Sequence, residues 1–297
     1  MTTEHASTIT EGIITGPLRR SVNASHDAKG SIHDDATASK LGFRGGTVAG
    51  SIHMELFPPL LLKAFGQRWF EHGTLSTYFI NATTDREAVQ AHTTAPPANA
   101  TDAQVDVWVN REDGMRVAEG TASVGDPAEP TALLRRPLDR FDAGELRMLA
   151  GIEPGRKFDP VTVRLEAATQ AERLDRITEN LPWYSQPSPW GNSIATPAAM
   201  VQLLYAKSVA TLRGNIGSAV GLFGAIELRN INGPVKLETD YTVNGHVVAV
   251  GQSPKTEYMW FETQMDDASG KRIAEMRMLL RWMKASSSRY PELQKQA

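Results

Sequence analysis

Residues 26–57, HDAKGSIHDDATASKLGFRGGTVAGSIHMELF, decide how this chain is read. Four parts follow one another. A polar loop carries Asp27, Ser31 and His33. A short helical piece, 34–41, begins with two carboxylates, Asp34 and Asp35. A glycine-rich turn follows, Gly42-Phe43-Arg44-Gly45-Gly46, and Thr47 to Gly50 leads into an apolar helix. A His–Asp loop facing a helix N-terminus has the parts of a reaction centre. The loop offers a general base, and the helix offers unbonded N–H groups to a developing oxyanion.

Outward from that stretch, 50–65 reads as a buried helix, because Ile52, Leu56, Leu60 and Ala64 share one spacing and Phe57, Leu61 and Phe65 another. Pro58-Pro59 must kink or divide it, or start it at Pro58. Strand-like runs follow at 74–83, 87–94, 105–110 and 115–124, with Glu112-Asp113-Gly114 as a hairpin turn. Before the helix, 1–11 reads as a loose tail and 13–23 as mixed β. Residues 127–156 are rich in proline and charge and read as a connector.

The second half repeats the plan. A strand is expected at 158–166 and a helix at 167–181. An aromatic loop comes next, and then a helix capped by Thr196-Pro197 that runs to about Leu212. Strands are expected at 220–231, 235–243, 247–250, 257–265 and 273–283, with a turn at Asn244-Gly245. Gly114-Met115-Arg116-Val117-Ala118-Glu119 matches Gly270-Lys271-Arg272-Ile273-Ala274-Glu275, each at the turn of its last hairpin. The pattern is a duplication. Residues 1–126 form an N-terminal unit carrying the site, 127–156 a connector, and 157–297 a non-catalytic C-terminal unit. A helix followed by an antiparallel sheet, given twice, predicts an α+β protein in which each sheet wraps its own helix and the two sheets pair edge to edge.

Composition narrows the function classes. The chain has 297 residues, 41% of them apolar, a formal net charge of −3 and no cysteine. It can therefore bury a full core. It has no global field for nucleic acid or an anionic membrane, and no disulfide, thiolate metal site or Cys nucleophile. No apolar run approaches the ~20 residues of a membrane span, and the polar N-terminus lacks a signal-peptide core. A cytoplasmic location is expected.

The central stretch resembles the MaoC-like hydratase/dehydratase family of the hotdog fold, in which a curved antiparallel sheet wraps one long helix. The family pattern runs roughly Asp-x-Asn-Pro-x-His-x-Asp, then Gly-Phe, then a Val/Ile-x-Gly that opens the helix. Here Ser31-Ile32-His33-Asp34-Asp35 stands for Pro-x-His-x-Asp, and 42–50, GFRGGTVAG, matches the second part. Gly30-Ser31 replaces the Asn-Pro pair, and Ala49 replaces a frequent histidine. With the internal repeat, the resemblance implies a double hotdog. It also implies a hydro-lyase of acyl-CoA or acyl-carrier thioesters, adding or removing water at C2/C3, with no cofactor and with a homodimer as an allowed assembly. His33 falls on the family histidine, Asp35 on its structural Asp, and Gly50 on the glycine whose N–H polarises the thioester carbonyl. Five residues before His33 stands Ala28, so Asp27 takes the family Asp position only if the loop has an extra residue such as Gly30.

Each residue also has a plainer role. His33 suits water addition near neutral pH, or caps the 34–41 helix. Asp27 orients water, or is a solvated turn-former. Asp34 and Asp35 suit a helix N-terminus. Gly50 and Ser51 bind a thioester oxygen, or Gly50 lets the helix touch the sheet. His53 reads as a packing residue. Arg44 meets a carrier phosphate or is a surface charge. Trp183, Tyr184 and Trp190 wall an acyl pocket or staple the halves. No histidine lies between His92 and His246, so imidazole chemistry belongs to the first half. No compact metal-ligand spacing is present. A thioesterase, or a repurposed hotdog binding a hydrophobic small molecule, are the alternatives.

Overall fold

The computed structural model describes residues 7–138, 143–212, 216, 217 and 219–294. The tail expected at 1–11 lies outside these residues as far as 6, as does the connector at 139–142. In chain order the strands are β1 Thr8–Thr10, β2 Ile13–Thr15, β3 Arg19–Arg20, β4 Gly73–Phe79, β5 Ala88–Thr94, β6 Ala103–Arg111 and β7 Arg116–Val124. The second half supplies β8 Lys157–Val163, β9 Gly221–Asn230, β10 Tyr241–Gln252, β11 Thr256–Asp266 and β12 Arg272–Met283. The α-helices are α1 Asp35–Lys40, α2 Gly50–Met54, α3 Pro58–Phe65, α4 Arg68–His72, α5 Ala167–Leu174, α6 Pro197–Ala210 and α7 Pro291–Gln294.

All strands join one antiparallel sheet in the order β1-β2-β5-β6-β7-β4-β9-β12-β11-β10-β8, with β3 on β5. The order is nearly a palindrome of the two halves. β4 pairs β7 as β9 pairs β12, and the halves meet where β4 runs antiparallel to β9, Thr77 opposite Ile226. Pairing these two strands removes what would be the exposed inner edge of each half. The matched GxRxAE segments occupy equivalent hairpins, with Gly114 and Gly270 at φ 83° and 82°, where a Cβ is disfavoured.

Each half packs helices into the main buried core of the sheet. In the first, Pro58 and Pro59 divide the apolar run into α2 and α3: a proline at a first helical turn lacks only an N–H that would be unbonded anyway. Phe57, Leu60 and Leu61 are fully buried there, each worth about 1.5–3 kcal/mol of burial. In the second half α6 is apolar nearly all round. It starts at Pro197, with the Thr196 hydroxyl accepting from Ala199 N–H. The two helix systems touch where α2 meets α6, and the Glu55 carboxylate accepts the Ala198 N–H across that contact at 2.7 Å.

The connector crosses the outer face of the seam. Thr131 donates to Glu227, and Leu133 N–H to Ser76. The aromatic loop is a staple: Phe70 packs edge-on to Trp183 and tilted on Trp190, whose indole N–H donates to Glu71 at 2.7 Å.

Three expectations change. Asn244-Gly245 is no turn: β10 runs through it, because a Cβ at Gly245 would stand 2.1 Å from the Glu262 carbonyl, so this glycine marks close strand contact and a register shift against β8. The helix expected at 167–181 ends at Leu174; beyond it Glu179 is held by Arg19 at 2.5 Å. Part of the tail, Thr8–Thr10, is a strand on β2.

Candidate functional site

The glycines of the central stretch are what let its parts meet. A Cβ at Gly46 would stand 2.2 Å from the His33 carbonyl oxygen, so only glycine lets 45–47 lie against the histidine loop. Gly46 N–H donates to the Asp35 carboxylate at 2.7 Å, and Thr47 N–H donates to the Ile32 carbonyl. Asp34 caps α1, accepting from the backbone and hydroxyl of Thr37. The Thr37 hydroxyl bond, the largest influence, holds the Asp34 carboxyl below its ordinary range. Both carboxylates thus serve the local structure, as their place at a helix start suggests.

His33 is half-buried. Its Nδ1 lies 2.7 Å from the Thr47 carbonyl oxygen. A carbonyl only accepts, so in the neutral ring Nδ1 carries the proton and Nε2 keeps its lone pair. Among the described residues Nε2 has no hydrogen-bond partner. Two cavities meet at His33 and Ala49. One, of about 150 Å³, is mainly apolar and is lined by Phe43, Val48, Gly50, Phe79, Leu222 and Phe223. The other, of about 320 Å³, is polar and is lined by Asn23, Ser51, Arg173, Arg176, Thr196 and Gln202. Gly50 and Ser51, consecutive at the start of α2, open on opposite cavities.

The N-cap of α2, Ala49, has no side chain that can bond the first turn. Among the described residues the Gly50 and Ser51 N–H groups find no acceptor. The Phe79 ring lies over Gly50, and a Cβ there would be 2.7 Å from its Cε2 atom. The ring makes the apolar wall, and the missing side chain leaves the backbone within reach of the cavity.

Two site expectations do not hold together in space. Asp27 is not brought to His33. Its carboxylate is 89% exposed and lies 3.2 Å from His26 Nε2, because the turns at 25–31 carry it outward. Arg44 is held in a fork by Glu87 at 2.8 and 3.0 Å, so its charge is matched within the chain. His53 is buried. Its Nε2 bonds Thr83 at 2.8 Å, and burial pushes its pKa down to about 4, so the ring is neutral near pH 7.

Sequence reasoning missed Glu55, Arg173 and Arg176. Glu55 is wholly buried and desolvation raises its carboxyl to about 7, against the bond from Ala198 N–H. Its place in an apolar helical run was the available signal. The arginines lie in the second half and gave none. Among the described residues no three His, Asp or Glu side chains are grouped to hold a metal ion, and no helix is long and apolar enough to cross a membrane.

No protein-family model and no curated protein matches this sequence. Solved structures do match in shape. A protein of Chloroflexus aurantiacus named as a MaoC-domain dehydratase superposes with a TM-score of 0.59 at 14% identity, covering 95% of this chain and 99% of its own. A Mycobacterium tuberculosis protein described as having a double hotdog fold gives 0.58 at 11% identity, over 93% and 97% of the two chains. A MaoC-like dehydratase gives 0.53 at 14% identity, over 93% and 98%. At these identities the likeness is one of fold. The chain is an α+β protein with the double hotdog fold that MaoC-like dehydratases share.

Proposed function

We propose that this protein adds water to, or removes it from, C2/C3 of an acyl thioester. The observation that carries the reading is His33, its Nε2 lone pair unpartnered, at the junction of an apolar and a polar cavity and beside the uncapped first turn of α2. The acyl group fits the apolar side and the carrier arm the polar side, with the thioester carbonyl between them at Gly50.

In hydration, water attacks C3 while His33 Nε2 takes its proton. Negative charge moves to the carbonyl oxygen, where the Gly50 N–H donates to it. The imidazolium then returns the proton to C2, leaving the 3-hydroxyacyl thioester and neutral His33. Dehydration is the reverse. The proton held by Thr47 on Nδ1 fixes which nitrogen works. Two of the similar folds bear the name dehydratase, which agrees with this chemistry.

The outward Asp27 favours one competing reading, a hotdog that binds a hydrophobic acyl ligand without turning it over. A panel of enoyl-CoA thioesters, read at the enoyl-thioester absorbance with a parallel assay for free thiol, separates the cases. Absorbance loss without thiol is the expected result. Thiol release makes the protein a thioesterase, and tight binding with neither change makes it a binder.

A further inference from the structure

The polar cavity that His33 shares with Ser51 is also lined by two arginines, Arg173 at the end of α5 and Arg176 just beyond it, and by one carboxylate residue, Glu172. Arg173 is half-buried and Arg176 exposed. Among the described residues neither guanidinium has a hydrogen bond or an ion pair. Other arginines of this chain are matched: Arg19 by Glu179, Arg111 by Glu87 and Asp113, Arg277 by Glu262. Burial and the neighbouring Arg176 both disfavour the charge on Arg173, while Glu55 and Glu172 draw on it without contact. Against the single carboxylate residue of the lining, Glu172, the two arginines leave the cavity one positive charge in excess, and a partly desolvated charge of this kind costs stability unless a further anion joins it. The segment is also held in place: Glu179, just downstream, is clamped to Arg19 of β3 in the other half.

We propose that Arg173 and Arg176 form an anion anchor for the ligand of the His33 cavity, gripping an oxyacid group of the thioester. A guanidinium presents paired N–H donors that match carboxylate or phosphate oxygens. The anion is either a phosphate on the carrier arm, which keeps that arm on the polar side, or a carboxylate on the acyl part, which would reverse the placement of the two ends. This rests on the thioester reading for the rest of the ligand, but not for the anion site itself.

Calorimetric titration of the full chain with inorganic pyrophosphate, coenzyme A and succinate tests it, comparing wild type with the double variant R173Q/R176Q and with R289Q as a surface control. Wild type binds at least one probe, and the double variant weakens that binding by about tenfold or more, as loss of charge-assisted hydrogen bonds demands. R289Q changes nothing. The double variant keeps or gains thermal stability, because a repulsion is relieved. Binding of pyrophosphate and coenzyme A assigns the anion to the carrier arm, and binding of succinate assigns it to the acyl part. If no probe binds wild type, or if the double variant binds as well, the anchor is overturned. Arginine-dependent binding with no turnover of any enoyl thioester keeps the anchor and removes the hydratase reading. Turnover with KM unchanged in the double variant does the reverse.

Discussion

His33 Nδ1 and the Thr47 carbonyl oxygen stand 2.7 Å apart, closing a bond across 14 residues of chain. That bond orients the imidazole and fixes its tautomer. It also ties the histidine loop to the segment that opens α2, so imidazole and helix start are held together. A main-chain acceptor cannot be lost by mutation, which makes the arrangement dependent on backbone packing, and so on Gly46.

The tautomer can be read directly. Long-range proton–nitrogen NMR at a pH where the ring is neutral is expected to show His33 protonated at Nδ1 and bare at Nε2. A ring protonated at Nε2 would leave no lone pair facing the cavities.

Gly50 supplies a steric prediction. In Gly50→Ala the new Cβ would stand 2.7 Å from Phe79 Cε2, and the ring must turn into the apolar cavity. Overpacking of this kind costs about 1–3 kcal/mol, a fall of a few degrees in Tm. Activity should fall by about tenfold or more, and Phe79→Leu added to it should restore part of both. Wild-type Tm and activity in Gly50→Ala would mean that the ring does not cover this glycine.

Glu55 supplies a pH prediction. Its folded pKa of about 7 lies above its ordinary 4.5. The folded state therefore holds an extra proton in that window, and stability falls as pH rises from about 4.5 to 7 and levels off above. The loss is at most about 3 kcal/mol. Glu55→Gln keeps an acceptor for Ala198 N–H and should abolish this dependence. His53, with its pKa lowered from 6.5 to about 4, has the opposite sign: its stability is present above 6.5 and lost as pH falls towards 4. It is common to both proteins and cancels in their difference. Urea unfolding of both from pH 4 to 8 checks this, and a difference that does not vary with pH would contradict the buried, neutral carboxyl.

Asp27 faces solvent beside His26. Asp27→Asn should leave turnover within about twofold, as for a surface change that touches no reacting group. A drop of about 10²-fold, the size of a general-base effect, would bring this carboxylate back to the reaction centre.

Much of the fold was legible because duplication, alternating strands and proline positions are local signals. The paired hairpin turns at Gly114 and Gly270 announced the repeat, and Thr196-Pro197 announced α6. Asn244-Gly245 misled, since its turn chemistry is overridden where β10 continues through it, paired with β11 on one side and β8 on the other. Of the candidate site, the sequence shows what one stretch supplies: His33, Asp34, Asp35, Gly46 and Gly50 all lie within 26–57. The candidate site was not legible where the chain returns from far away. Arg173 and Arg176 reach the cavity only because the second half folds back on the first, and sequence distance hides that. Arg44 and Asp27 lie away from His33, on Glu87 and beside His26; charge alone does not say which partner within the chain meets it.

The most direct measurement is the rate of water addition to a short enoyl-CoA by wild type and by His33→Ala, with folding checked by circular dichroism. The expected result is measurable hydration by wild type and a loss of about 10²–10⁴-fold in the folded variant. Equal rates in the two proteins would show that the imidazole between the cavities does no chemistry.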